Sequence, residues 1–316
     1  MNSLSELSGS SVLVIGASSL DVVARLHDGL QMETSNPARI RTSFGGVARN
    51  VAENLARLGQ PVSLLSVIGK DRIGEDLLAY TRQAGVDVSA VYSTDKYPSG
   101  FYMGVLDEHG TRQFAFDDMR VLEELTISYL TYNEDAFEKA GLVFLDANLP
   151  VIAIKTIFQL AQKYKIPVCA DPTSASLAPR LKPYLRQIKL IAPNSIEAGI
   201  LTGGQFAAGD REAALEAARA LVNHGVETAF ITLAEFGLCY ATSETNGHVP
   251  VIRTKVVDPT GAGDALTAAV IYALMNGIEI DDAARLGVSA ASLALRHQGA
   301  VFPELSLEKL YDTLAV

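Results

Sequence analysis

Cysteine is scarce in this chain, with two residues in 316. Cys169 and Cys239 both lie in apolar runs, IPVCAD and GLCYAT, so they read as buried reduced thiols. No CxxC pair offers a zinc site, and two such cysteines make no disulfide framework. Positive charge is also short: 26 Lys and Arg against 36 Asp and Glu leave a formal net charge of −10. Nucleic-acid binding needs clustered cations against phosphates, so this balance excludes it as the main business of the chain. It leaves room for one small anion held by local dipoles. No apolar run approaches the about 20 residues that a membrane helix needs. The opening MNSLSELSGSSVLVIG lacks the basic start and apolar centre of a signal peptide, which predicts a cytoplasmic protein. Two phosphate-binding motifs are missing as well. The Gly-Lys pair Gly69-Lys70 is followed by Asp71, so there is no GxxxxGK[ST]. The best GxGxxG candidate fails at Leu266.

What is present is a regular alternation. Apolar runs of strand length occur at SVLVIG, VSLLSVIG (62–69), GLVFLDA (141–147), IPVCAD (166–171), KLIAPN (189–194) and TAFITL (228–233). Continuous apolar character suits strands covered on both faces. Helical periodicity falls between them, at 47–58, 73–84, 151–164, 211–223, 262–275 and 281–296. This order predicts an α/β fold over 1–316 as one domain, doubly wound, with a mostly parallel sheet and helices on both faces. Two stretches, about 22–44 and 98–117, hold short alternating segments with turn signals. They read either as a small β lid over one edge of the sheet or as plain surface excursions.

The stretch DPTGAGDAL, from Asp258 to Leu266, carries the chemistry. The helical pattern from 262 onward begins where the glycines end. The N–H groups of Gly261, Ala262, Gly263 and Asp264 therefore sit at a helix N-terminus, free of intrahelical partners and at the positive end of the dipole. Glycine lets that backbone curl and approach a ligand, so the turn is suited to a phosphate. Asp264 has two readings. It complements the helix dipole, or it is a general base beside the anion site, taking the proton from a hydroxyl that attacks phosphorus.

DPTGAGDAL resembles the C-terminal signature of the ribokinase-like (PfkB) carbohydrate kinases. FGGVARNVAENLARLG (44–59) resembles their N-terminal signature, and the two stand in the family's order more than two hundred residues apart. The resemblance runs from VIGASSLDVV to GAVFPE. It implies a ribokinase-like fold with a β lid, and phosphorylation of a small sugar or nucleoside by ATP with Mg²⁺. It also implies a homodimer through the lid. By resemblance Asp21 would accept from two sugar hydroxyls, Gly45 and Gly46 would bring N–H groups to the sugar, and Asn50 would bond a hydroxyl. Turn capping by Asp21 and backbone bonding by Asn50 are the alternatives. PNSIEA matches the family's N-x-x-E element, which implies that Asn194 and Glu197 hold Mg²⁺ through water. TLAEFG resembles the nucleotide loop through Thr232, Glu235 and Gly237, with Ala234 where glycine is common. Asp258 and Thr260, with carbonyls near 294–299, match positions that bind K⁺ in several members. His297 reads as a surface or packing residue rather than a catalyst.

Within the family, TSNPARIRTSFGGVARNVAENLARLG, FAFDDM (114–119) and LDANLP (145–150) look like the pseudouridine kinases. That implies transfer of the γ-phosphoryl group to a nucleoside 5′-hydroxyl. Ser35, Asn36, Asp118 and Asn148 are the candidates for reading the uracil edge, each with a lid-turn or strand-end role as the alternative. Ribose, adenosine or a fructose-type sugar is the alternative acceptor, and a non-catalytic binding protein of the same fold the alternative class.

Overall fold

The computed structural model describes residues 4–315, apart from the side chain of Arg112. Its centre is an eight-stranded sheet. Six strands run parallel in the order Thr228–Thr232, Ile188–Ile191, Val168–Asp171, Ala140–Asp146, Ser11–Ile15, Val62–Leu65. The strands Leu238–Ala241 and Asn246–Val249 extend the first edge as an antiparallel hairpin. The inner strands are apolar on both faces, and helices cover both, which is why the runs do not alternate. Strand order reverses around Ser11–Ile15, next to Ala140–Asp146. Ligands in open α/β sheets bind outside the carboxyl ends of strands at such a point.

One expected strand divides. VSLLSVIG breaks at Ser66, whose hydroxyl donates to the Gly16 carbonyl at 2.6 Å. Val62–Leu65 stays in the main sheet, while Val67–Gly69 turns off to pair with Tyr92–Thr94.

The two irregular stretches do combine. Ala38–Gly45, Ser19–Leu26, Gly100–Leu106 and Arg112–Asp118 form one four-stranded sheet in that order, with only the middle pair parallel. The first lid strand starts at Ser19, earlier than expected, and so carries Asp21. Among the described residues, no helix is long and apolar enough to cross a membrane. Both cysteines are free and buried.

Two helices bring the signatures together. Val47–Arg57 follows the lid directly, and Ala262–Met275 is apolar nearly all round because it lies between the sheet and helix Ile280–Leu295. The packing against that last helix is close: a Cβ at Gly287 would stand 2.7 Å from a Val270 methyl.

Candidate active site

The DPTGAGD turn is built by steric necessity. Gly261 caps the helix at φ 76°, and a Cβ there would meet the Ala300 carbonyl oxygen at 1.9 Å. Gly263, by contrast, has nothing within 4 Å of a hypothetical Cβ. Its bareness opens onto a cavity of about 910 Å³ lined in part by Asn194, Thr232, Gly237, Ala262, Gly263 and Leu266. The first-turn residues Ala262 and Gly263 thus stand at the rim of a ligand-sized space, with Asp264 next in the chain.

Asp264 is the third residue of this helix and is half-buried. Asn50 donates from its amide nitrogen to Oδ2 of Asp264 at 2.7 Å, joining two signatures 214 residues apart. Burial pushes the Asp264 carboxyl up to about 7, helped by the charges of Asp21 and Asp146 and opposed by Asn50 and Arg49. A base tuned near neutrality can both take and release a proton at working pH.

Asp21 approaches from the lid. It is 6% exposed, accepts from the Ser19 hydroxyl at 2.7 Å, and burial lifts its carboxyl to about 6. The Gly-Gly pair makes this approach possible. A Cβ on Gly45 would stand 2.0 Å from Oδ2 of Asp21, and one on Gly46, at φ 93°, would stand 2.4 Å from the Ala17 carbonyl. The room these glycines provide is first of all for protein atoms.

Two acids escaped the sequence reading. Asp146 ends its strand fully buried and accepts from Ala17 N at 2.8 Å, Ala48 N at 3.0 Å and Asn148 N at 2.9 Å. It ties a strand end to the start of the Val47–Arg57 helix. Burial raises its carboxyl despite those donors. Asp171 ends the neighbouring strand and pairs in register with Asp146. Burial raises it well above the ordinary carboxylate range, reinforced by the charges of Asp264, Glu197 and Asp146. Both sit at the last residue of apolar runs. That placement, at the carboxyl ends of parallel strands, was the signal available.

Asn194 and Glu197 form a complete capping box on helix Ser195–Thr202. The Asn194 side chain accepts from Glu197 N at 2.9 Å, and Glu197 accepts from Asn194 N at 3.0 Å. Burial raises the Glu197 carboxyl. Among the described residues no cluster of three His, Cys, Asp or Glu could grip a metal directly. A hydrated Mg²⁺ still fits the donor set: Glu197 is a desolvated carboxylate in the helix start whose Asn194 lines the cavity, and its charge adds to the raising of the buried Asp171. Thr232 and Gly237 line the same cavity, and Glu235 borders it on an exposed turn. Ala234 adopts φ 49°, the left-handed region, which explains why glycine suits this position. Asp258 is buried, accepts from Thr260 N at 3.0 Å, and the turn is latched by Val257 N donating to the Leu295 carbonyl at 2.8 Å. Asp258 N also points at the Leu295 carbonyl, at 3.4 Å. His297 packs edge-on to Phe302.

The four proposed base readers do not converge. Asn36 spends its amide inside the lid loop, bonding Gln31 N and the carbonyls of Gln31 and Thr34, and Ser35 beside it is exposed. Asp118 lies across the lid from Asp21. Asp21 pairs with Tyr102 and Tyr102 with Asp117, so these three share a face, whereas Asp118 pairs with Phe101 on the other face and holds Arg120. Asn148 is half-buried beyond Asp146, its carbonyl accepting from Arg180.

Comparison with known proteins agrees with this geometry. The profile of the pfkB family carbohydrate kinases matches residues 10–306. The chain belongs to that family. It is 32% identical over 297 residues to the pseudouridine kinase of Escherichia coli K12, covering 94% of each chain. To the guanosine-inosine kinase of Exiguobacterium acetylicum it is 28% identical over 300 residues, covering 93% of this chain and 97% of that one. The structure of Arabidopsis thaliana ribokinase complexed with ribose and ATP superposes with a TM-score of 0.84 at 22% identity, covering 98% and 99% of the two chains. The fold is ribokinase-like, and the protein is a kinase of small sugars or nucleosides.

Proposed function

We propose that this kinase transfers the γ-phosphoryl group of ATP to the 5′-hydroxyl of pseudouridine. The observation that carries the chemistry is the Asn50–Asp264 contact, which sets a carboxyl tuned near neutrality between the lid residue Asp21 and the cavity at the helix N-terminus. Asp21 holds the ribose hydroxyls, and Asp264 takes the proton of the primary alcohol as it attacks phosphorus. The amides at 261–264 stabilise the charge on the transferred group. Asn194, Glu197 and Asp171 would hold Mg²⁺ through water, and the ion would supply positive charge against the phosphates. Asp258, Thr260 and the carbonyls near 294–299 would hold a monovalent cation such as K⁺. Lid closure excludes water as a competing acceptor.

The choice of pseudouridine rests on the 32% identity over 94% of both chains. Similarity to the guanosine-inosine kinase supports a purine nucleoside as the second reading. A panel of pseudouridine, uridine, inosine, guanosine, adenosine and ribose with ATP separates them. Pseudouridine should give the highest kcat/KM, and turnover no better than that of uridine or ribose removes it. The outward lid face bears Ile40 and Phe116, 64% and 61% exposed, which supports a homodimer through the lid. Sedimentation at micromolar concentration tests that.

A further inference from the structure

Arg49 is the largest side chain buried to within 2% of full enclosure. It lies in the first turn of the Val47–Arg57 helix and has no counterpart among the roles given above. Every arm of its guanidinium is committed. Nε donates to the Gly45 carbonyl at 3.0 Å, and Nη1 to Oε2 of Glu53 at 2.5 Å. Nη2 donates to the Phe44 carbonyl at 2.9 Å and to Oδ1 of Asn50 at 2.5 Å. Glu53 is itself fully buried and also accepts from Arg57.

The bond to Asn50 has a consequence for Asp264. A carboxamide has nearly the same shape whichever way its oxygen and nitrogen point, but only the nitrogen can donate. Asn50 faces a donor, Arg49, on one side and an acceptor, Asp264, on the other. With the guanidinium present, only one orientation satisfies both neighbours, and it aims the NH₂ at Asp264. The reversed amide would set donor against donor at Arg49 and oxygen against carboxylate at Asp264. The same guanidinium grips the carbonyls of Phe44 and Gly45, where the lid strand Ala38–Gly45 ends.

We propose that Arg49 is a positioning residue for phosphoryl transfer: it fixes the Asn50 amide against Asp264 and ties that contact to the base of the lid. Lysine cannot replace it, because a single ammonium cannot span two carbonyls, a carboxylate and an amide oxygen in one plane. The inference rests on the reading of Asp264 as the base. The charged groups facing Asp264 are Asp21 from the lid, Asp146 and Asp171 from the strand ends, and Arg49 itself.

The test is a cycle of Arg49→Lys, Asn50→Ala and the double variant, each checked for folding by thermal melt. With the best acceptor of the panel, Arg49→Lys should lower kcat about tenfold, the effect of one lost bond in the charged network. KM for ATP should stay within about twofold, and the acid limb of kcat should move to higher pH. In the Asn50→Ala background, Arg49→Lys should change kcat less than about twofold, since its route to Asp264 is gone. The Asp264 carboxyl is followed in parallel by ¹³C NMR, assigned with Asp264→Asn. Its midpoint should rise in Arg49→Lys and be insensitive to that change in Asn50→Ala. This readout needs no turnover, so absent activity would sink the substrate assignment and leave the Arg49 result standing on its own. Should Arg49→Lys not fold, Glu53→Gln decides: it loosens Arg49 from its ionic anchor, so the Asp264 midpoint should move when Asn50 is present and stay fixed in the Asn50→Ala background. A folded Arg49→Lys with unchanged kcat and midpoint, multiplicative effects in the double variant, or a fixed midpoint in Glu53→Gln overturns the proposal.

Discussion

Replacing Asp264 by Asn should abolish most activity and, at alkaline pH, stabilise the fold. The carboxyl stands at about 7 against an ordinary 3.8, because burial and the charges of Asp21 and Asp146 penalise its ionised form. A group whose folded pKa is raised contributes stability that is fully present at low pH and is lost as pH climbs through its folded value. The window here runs from about 4 to 7. Three pH units correspond to at most about 4 kcal/mol. Asp264 is only half-buried and follows Gly263 at the wall of an open cavity, so solvent screening brings this to about 1–2 kcal/mol. With an unfolding entropy of about 2.1 cal/mol/K per residue, a chain of 316 residues shifts about 1.5 °C per kcal/mol. The replacing carboxamide also keeps an oxygen to accept from the Asn50 amide. Asp264→Asn should therefore melt about 2–3 °C higher than the parent at about pH 8.5 and equally at about pH 4.5, by scanning calorimetry. Its kcat should fall about 10²–10⁴-fold while the acceptor still binds. Undiminished turnover removes the base role. An Asp264→Asn variant that melts lower in the alkaline scan refutes the account of the raised carboxyl.

The lid acid should separate binding from chemistry: Asp21→Asn should raise KM for the acceptor about tenfold or more with a smaller change in kcat, in initial-rate assays. Ala234→Gly should relieve a left-handed alanine and raise stability by about 1 kcal/mol, read from a denaturant midpoint. Gly261→Ala should do the reverse, since its Cβ would overlap the Ala300 carbonyl; a loss of about 2 kcal/mol or more is expected, with kcat falling as the amide turn shifts. Asp171→Asn should raise the Mg²⁺ concentration needed for half-maximal rate several-fold, while Cys169→Ser leaves it unchanged.

The legible part of the site was the part written contiguously. DPTGAGD and GGVARN each carry their glycines, amides and acid within a few residues, so their local geometry could be read from turn and helix-terminus physics. Periodicity exposed the sheet because strands covered on both faces are apolar throughout. Contacts set by register were harder. Whether Asp117 or Asp118 shares a face with Asp21 depends on two successive strand pairings, and one residue of slip reverses the answer. Asp146 and Asp171 look like ordinary strand ends until the sheet places them side by side. Arg49 was hidden for the opposite reason. It sits within the quoted motif, yet an arginine on a helix reads as solvent-facing, and only the fold shows it enclosed by backbone carbonyls and Glu53.

The acids converging on this crevice are an arrangement that folding alone does not favour. Asp21, Asp146, Asp171, Glu197 and Asp264 all have carboxyls raised by burial, and several raise one another. Only Asp146 is answered by three backbone donors, and it is also the one with a plain structural task. A site of this kind gains most from ligands that bring hydroxyl donors or cations, since each removes part of an existing repulsion as well as adding a contact. A sugar under the lid and a hydrated divalent ion beside the phosphates supply both. Stabilisation by ribose-bearing ligands should accordingly grow from about pH 5 to about pH 8 in thermal-shift measurements, as Asp21 and Asp264 ionise, and stabilisation by Mg²⁺ should also rise with pH. A pH-independent shift for both would show that the carboxylates are not what the ligands meet.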